Sequence, residues 1–341
     1  MPPPRSRPFG FDVDYGIIIG AMRLLFITHS RVGDAVLSTG VLSYLLDRYR
    51  EARVTIACGR AAAELFEAVP GLEDIYIIDK QPRGRHWIGL WRHAVLRHWD
   101  AVVDLRASAI AYLLLARKRY VTKPSREPVH RLVHLARVVG LEGALEPRIW
   151  TKAEHWEEAK ALVPDGPSVL AVAPTANWRG KMWRGARFAE LIERLTTADG
   201  ILPNARVVVL GAASERNLAQ PVLASIRPAR RIDLIGKISL LTAFTVLRRA
   251  ALFIGNDSGL MHLAAAAGIP TLGLFGPSRP ENYAPHGPHA DFVRTPIPYD
   301  ELVGRPGYDH RTTDTLMDSL TVDMVENAAR ELWRKSMGAA A

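Results

Sequence analysis

A single cysteine in 341 residues, Cys58, leaves the chain without an internal disulfide. That suits a reducing compartment and excludes zinc sites built from several cysteines. Long apolar runs are missing too. A membrane-spanning helix needs about 18 or more apolar residues in succession, and the nearest approach, residues 101–116, is broken by Asp104 and Arg106. A secretory leader is not expected either, because residues 17–19 are too short for its apolar core and Asp12 and Asp14 precede them. The expectation is therefore a cytoplasmic protein. Several chemical signatures are absent as well: no GxGxxG follows the first predicted strand, and there is no GxxxxGK[ST], HExxH or GxSxG. Dinucleotide-dependent dehydrogenases, P-loop nucleotidases, zincin proteases and nucleophile-elbow hydrolases thereby lose their usual marks.

What remains is an ordinary globular composition, 48 % hydrophobic and 23 % charged, long enough for two domains. The net charge of +9 is unevenly spread. Residues 22–150 hold 20 basic and 13 acidic side chains, against 22 and 20 in residues 151–341. Within 80–137 there are 13 basic residues and three acidic ones, Asp100, Asp104 and Glu127. Such a block suits an anionic partner: nucleic acid, a phosphorylated glycolipid or an acidic membrane face. A solvated arginine-rich surface explains it equally well.

Residues 1–21 carry four prolines and no periodicity, and a clean apolar strand begins only after Met22. They read as a detached extension, disordered or outside the native chain. Asp12-Val13-Asp14 within them resembles a metal-binding DxD, a match too short to build on. From Arg23 onward, short β-rich runs alternate with helix-length segments, which predicts α/β architecture with parallel sheets. Strands are expected at 23–28, 53–58, 74–79 and 100–105, with helices at 35–49, 60–68, 87–98, 107–117 and 128–139. A charged crossover, 140–166, leads to a second series. There strands are expected near 168–173, 206–210, 231–235, 251–255 and 270–275, and helices near 185–197, 214–226, 239–249, 259–267 and 322–335. Thr321 would cap the last helix. Two such series imply two Rossmann-like domains, 22–150 and 151–341, facing each other across a cleft. Ligands then belong beyond the carboxyl ends of the strands.

Three loops at those ends carry unusual residues. In His29–Asp34, Gly33 permits a tight turn and Asp34 opens the next helix, as a plain N-cap or as a carboxylate available for general base work. In Ala173–Trp183, Thr175 and Asn177 can meet phosphate oxygens and Lys181 can offer them a compact positive charge. The plain alternative there is a surface loop with two packing tryptophans. In Ile254–Ala266 a strand enters a small-residue turn and then an alanine-rich helix. Its first free N–H groups, near Ser258 and Gly259, can cradle an anion, and His262 lies four residues after Ser258 on the same face.

Together these loops resemble glycosyltransferase family 9, the heptosyltransferases that build the inner core of bacterial lipopolysaccharide. Met22-Arg23-Leu24-Leu25-Phe26-Ile27 followed by Gly33-Asp34 is similar to that family's first strand and GD loop. Asp257-Ser258-Gly259-Leu260-Met261-His262-Leu263-Ala264-Ala265 matches its D-[TS]-G-x-x-H-x-x-A segment, and Leu274–Pro280 resembles the F-G-P-T-x-P after it. Pro174–Trp183 looks like its P-G-[AT]-x-W-x-x-K-x-W loop, with Thr175 in place of glycine. The resemblance covers 22–335. It implies a GT-B fold, acceptor bound by the first domain and nucleotide-sugar by the second, with inversion at the anomeric carbon and neither metal nor cofactor. It implies Asp34 as the base and Lys181 as the counter-charge to the departing diphosphate. Thr175, Asn177, Glu215, Ile238, Asp257, Ser258, Gly259 and His262 would bind the donor, ADP-heptose, with Ile238 against the base.

The basic block then falls in the acceptor domain, where Gly33, Arg83, Arg85 and Arg106 would meet an anionic lipid-linked glycan. The same block could hold the protein on the cytoplasmic face of the inner membrane. Three alternatives remain: the same chemistry with another nucleotide-sugar, a nucleic-acid-binding protein using 80–137, and a protein that binds a nucleotide-sugar without turnover. The nucleic-acid reading is disfavoured because 80–137 carries no recognised motif for it.

Overall fold

The computed structural model describes residues 22–125, 127–309 and 311–338; the expected extension, with Asp12-Val13-Asp14, lies outside them. The first half runs β1 (Arg23–Ile27), α1 (Val32–Arg48), β2 (Arg53–Cys58), α2 (Arg60–Ala63), β3 (Leu72–Ile77), α3 (Arg85–Ala94), β4 (Trp99–Asp104), β5 (Ala116–Val121) and α4 (Arg131–Ala136). Its five strands form a parallel sheet in the order β3-β2-β1-β4-β5. The second half continues with α5 (Ala153–Leu162), β6 (Val169–Ala173), α6 (Gly185–Thr196), β7 (Arg206–Val209), α7 (Arg216–Ser225), β8 (Arg231–Asp233), α8 (Leu240–Leu247), β9 (Leu252–Asn256) and α9 (Gly259–Ala266). It ends with β10 (Thr271–Phe275), α10 (Pro280–Tyr283), β11 (Ala290–Arg294), α11 (Tyr299–Val303) and α12 (Val322–Gly338). Its parallel sheet has the order β11-β10-β9-β6-β7-β8.

Strand alternation divides each core in two. Leu24 and Phe26 of β1 point toward α1, while Leu25 and Ile27 join Leu90 and Ala94 of α3 on the opposite face. In the second sheet, Leu170 and Val172 pack under α6, α7 and α12, whereas Val169 and Ala171 join α8 and α9. The strands are apolar throughout because both faces are covered. The α1 side of the first sheet and the α8–α9 side of the second belong to one continuous buried cluster. The two sheets thus meet through their helices.

The tightest of those meetings is between α1 and α9. A Cβ built on Gly259 would lie 2.8 Å from Val32 Cβ and 3.0 Å from the Gly33 nitrogen. One built on Gly33 would lie 3.0 Å from the His262 ring. Only glycine lets the two helix starts touch. Elsewhere, Glu64 accepts from the Leu240 N–H at 3.0 Å and so caps α8 from the opposite half. His130 Nε2 meets the Ala284 carbonyl at 2.9 Å, and Asn282 Nδ2 donates to that of Val129 at 2.9 Å.

The alternation of strands and helices holds over most of the chain, with one reversal. Residues 107–117, expected as a helix, form a short 3-10 turn (Ala109–Tyr112) and then enter β5. The apolar run Ile110–Leu115 is too short to distinguish a helix from a turn and strand by its period. The basic residues after it, Arg117, Lys118 and Arg119, sit on an edge strand, where cations discourage further pairing. β11, the opposite edge of the second sheet, lies outside the expected strands. The crossover 140–166 contains a helix, α5, which lies on α8: Thr245 Oγ1 donates to the His155 carbonyl and Thr242 Oγ1 to Glu158, at 2.8 and 2.6 Å. Thr321 does cap α12, accepting from the Met324 N–H at 3.2 Å.

Adding one methyl at Gly259 forces α1 and α9 apart. Gly259→Ala should lower the unfolding free energy by about 1–3 kcal/mol, and Val32→Ala in the same chain should restore part of it. Urea unfolding of the two single variants and the double variant measures this; additive losses would mean the two helices do not contact.

Candidate active site

Between the sheets lies a cleft of about 1000 Å³, open at the carboxyl ends of the strands. Gly33, Asp34, Thr175, Asn177, Lys181, Glu215, Ile238, Asp257, Ser258, Gly259 and His262 all line it. The three loops read from the sequence therefore come together in one place.

Asp34 is the third residue of α1, which begins at Val32 with Arg31 at the N-cap position. Its carboxylate does not cap the helix, so the plain alternative for this residue falls away. It stands close enough to act electrostatically on His29, His262 and Tyr283. Ser258 occupies the N-cap position of α9 yet makes no capping bond, and its hydroxyl is buried without a partner. His262 Nδ1 is likewise buried and unpaired. Burial holds this imidazole neutral, moving its pKa from 6.5 down to about 4 despite the opposing pull of Asp257 and Asp34. Two orphaned polar groups beside a helix N-terminus mark a place prepared for a ligand.

Lys181 enters beside α9, from the loop after β6. Its Nζ lies 2.5 Å from Asp257 Oδ2, and the Asp257 side chain is 7 % exposed. The loop that carries it is fixed by Asn256, a fully buried residue whose amide donates to the Pro174 carbonyl and accepts from the Trp183 N–H, at 2.9 and 3.0 Å. Trp183 is core, its indole N–H donating to the Leu320 carbonyl at 2.8 Å. Trp178 is different, since its indole nitrogen is buried without a partner. Glu215 is held by Thr175 Oγ1 at 2.8 Å and the Ala212 N–H at 3.0 Å. Among the described residues, no three His, Cys, Asp or Glu side chains stand together as a metal-binding group.

A smaller recess of about 550 Å³ adjoins the cleft, with Tyr283 lining both. Arg106, Lys123 and Arg131 line it together with His29 and His134. Arg131 Nη2 lies 3.0 Å from His29 Nε2. Burial, opposed by Asp34 and aided by the two arginines, lowers the His29 pKa to about 4, so the ring accepts this bond. Arg106 Nη1 and Arg131 Nε are buried without partners. The loop here wraps Asp104, which accepts from the Arg106 and Ser108 N–H groups at 2.9 Å and the Ser108 hydroxyl at 2.5 Å. Ala107 is left at φ 51°, a conformation rare for a residue with a Cβ.

Arg83 and Arg85 line neither cavity; both are exposed at the start of α3. Sequence reasoning missed Arg131, His29, Tyr283 and Asn256. His29 and Asn256 lie within loops already singled out, but nothing in the local pattern marks Arg131 or Tyr283.

Comparison with known proteins shows the family and the fold. The family model described as glycosyltransferase family 9 (heptosyltransferase) matches residues 102–303. A lipopolysaccharide heptosyltransferase 2 from Salmonella typhimurium is 23 % identical over 322 residues, 82 % of this chain and 90 % of the relative. A lipooligosaccharide heptosyltransferase 2 from Haemophilus influenzae is 26 % identical over 215 residues, 62 % of this chain; the match spans only 58 % of that relative. Among solved structures, a family 9 glycosyl transferase from Veillonella parvula superposes with a TM-score of 0.75 at 20 % identity, over 92 % of this chain and 98 % of that one. An Escherichia coli heptosyltransferase with ADP gives 0.67 at 18 %, over 91 % and 100 %.

The buried neutral histidine has a pH signature. The native state keeps His262 unprotonated down to about pH 4, while the unfolded chain takes up a proton below 6.5. Stability therefore falls as pH drops from about 6.5 toward 4, and this contribution is complete below that. For this one group the loss at pH 5 is about 2 kcal/mol. Urea unfolding at neutral and acid pH should show His262→Asn losing less stability than the parent. An identical loss in both would mean that the ring is protonated in the native state.

Proposed function

The family match spans more than half of the chain, so this protein belongs to glycosyltransferase family 9, and we propose that it transfers a heptose from ADP-heptose to a lipopolysaccharide core or related glycan, inverting the anomeric carbon. The observation that carries this reading is the meeting of two helix N-termini with Lys181 on one wall of the cleft and Asp34 on the other. One side of the cleft is suited to a departing diphosphate and the other to a proton acceptor. The solved relative with ADP, and the heptosyltransferase relatives, support the choice of donor.

In this reaction Asp34 takes the proton of the acceptor hydroxyl. The oxygen attacks the anomeric carbon from the face opposite the diphosphate, and the bond from that carbon to the phosphate oxygen breaks with its electron pair leaving on ADP. One displacement inverts the centre, so a single carboxylate suffices. Negative charge develops on the diphosphate, where the first N–H groups of α9, the Ser258 hydroxyl and Lys181 are gathered. These groups supply the positive field that a metal ion gives in other transferases, so the reaction needs neither metal nor cofactor. Neutral His262 offers a hydrogen bond without adding charge. Thr175 and Asn177 belong to the phosphate side, Ile238 to the base and the Thr175-held Glu215 to a donor hydroxyl.

The acceptor belongs in the smaller recess, where Arg106, Lys123 and Arg131 suit the carboxylates or phosphates of an anionic glycan. Its two unpaired guanidinium nitrogens support that assignment. Tyr283, shared by both cavities, stands where the substrates meet. An acceptor carried on a lipid brings the enzyme to the inner face of the cytoplasmic membrane.

Asp34→Asn should reduce transfer by at least about 1000-fold while leaving ADP affinity by calorimetry within about twofold; a comparable loss of nucleotide binding would remove Asp34 from the role of base. ADP should bind more tightly than UDP, GDP or dTDP, and preference for another nucleotide would replace the sugar donor. Turnover should persist in EDTA, and loss restored by Mg²⁺ or Mn²⁺ would overturn the metal-free route.

A further inference from the structure

Exposed apolar side chains are not spread evenly over this molecule. Of ten large hydrophobic residues found exposed among the described residues, six lie between 88 and 115: Ile88, Trp91, Leu96, Tyr112, Leu113 and Leu115. α3 buries Leu90 and Ala94 against the first sheet. Its outward face, which in a globular helix is normally polar, instead presents Ile88 and Trp91, one turn apart.

The segment after the 3-10 turn repeats this inversion. Ala111 and Leu114 point inward, while Tyr112, Leu113 and Leu115 are 59–67 % exposed. The loop is not loose. Arg119 donates to the carbonyls of Ala111, Leu114 and Ala116 at 2.7, 2.8 and 2.9 Å, and the Trp91 indole N–H donates to the Leu113 carbonyl at 3.3 Å. A rigid backbone thus holds large apolar groups out into solvent beside an exposed tryptophan. Patches of this kind mark an interaction surface.

Charge identifies what covers it. Lys80, Arg83, Arg85 and Arg92 flank the apolar strip on and just before α3. Nearby carboxylates are already engaged, Asp79 by Arg60, Asp74 by His93 and Asp104 by Ser108, so these four cations have no ion pair among the described residues. Aromatic and aliphatic groups ringed by free cations suit the boundary between headgroups and acyl chains of an anionic bilayer. The strip is also continuous with the smaller recess: the Arg106 guanidinium, which lines that recess, stacks 4.8 Å over the Trp87 ring of α3.

We infer that the outward face of α3 and the clamped loop 111–116 form the surface by which this protein docks on an anionic phospholipid bilayer. The inference rests on the reading of a lipid-linked acceptor, since docking there presents the recess to a glycan anchored in the same membrane. Association is reversible and depends on both halves of the patch. Apolar groups supply depth, and the cations supply selectivity for anionic lipid and sensitivity to salt.

The test is sedimentation of the full-length protein with vesicles of phosphatidylcholine, with and without phosphatidylglycerol. The parent should partition at least about 10-fold more strongly onto the phosphatidylglycerol vesicles, and added salt should weaken that binding. Leu113→Ser/Leu115→Ser and Arg92→Glu should each reduce it about 10-fold or more, with melting temperature and ADP binding unchanged. Transfer to a de-acylated, water-soluble acceptor should be unaffected, while transfer to the same acceptor embedded in vesicles should fall. Vesicle binding reports on the surface even if no sugar is transferred, so failure of the transferase reading is separately visible. Equal binding to both vesicle types, or undiminished binding by the Leu113/Leu115 variant, would overturn the inference. So would a concentration-dependent dimer in sedimentation velocity that this variant abolishes.

Discussion

The contact between Gly33 and Gly259 is the constraint on which the rest of this structure depends. It brings the starts of α1 and α9 together, and with them the unsatisfied N–H groups that every helix leaves at its beginning. Two such ends aimed at one cleft create a fixed positive field that owes nothing to side-chain protonation. Each helix also carries a polar side chain into the cleft there: Asp34 from the first turn of α1, His262 from the first turn of α9. A side chain at either glycine would push the two halves of the fold apart at the cleft. Packing and chemistry are set by the same missing methyl groups.

Around that contact the polar groups fall into two kinds. Some are fully satisfied and serve as scaffolding: Asn256 ties the lysine loop to β9, and Glu215 is held by Thr175 and a backbone amide. Others are left without partners, namely Ser258, His262 Nδ1, Arg106 Nη1 and Arg131 Nε. Buried polar groups are seldom left unpaired in a native fold. Their distribution over the two adjoining cavities outlines where two polar ligands would lie, one in each, with Tyr283 lining both.

Much of this was legible in the sequence, and the reason is physical. A parallel sheet gathers its functional groups at the carboxyl ends of its strands, so a strand followed by a glycine and a polar residue announces both the fold and the site. The three loops chosen on that basis all line the larger cleft, which residues 210–215 and 236–240 complete. The smaller recess could not be read in the same way. Its walls come from residues far apart in the chain, His29, Arg106, Arg131 and Tyr283, none of them in a repeating pattern. Arg83 and Arg85 were chosen from charge density alone, and density does not say which way a side chain faces. The segment 107–117 misled for a related reason: its apolar residues face both the core and the solvent, which on a short stretch imitates helix periodicity.

The pair formed by Lys181 and Asp257 has a consequence for how the catalytic cycle ends. A partly buried ammonium set against a diphosphate would be left without a counter-ion once the nucleotide departs, and an unpaired charge with little water around it is costly. Here the carboxylate lies 2.5 Å from Nζ. Under the proposed reaction, Lys181 swings between two anions, one belonging to the leaving nucleotide and one to the protein. Each release of ADP is therefore an exchange of partners rather than the creation of a bare cation, which lowers the barrier to emptying the site for the next donor.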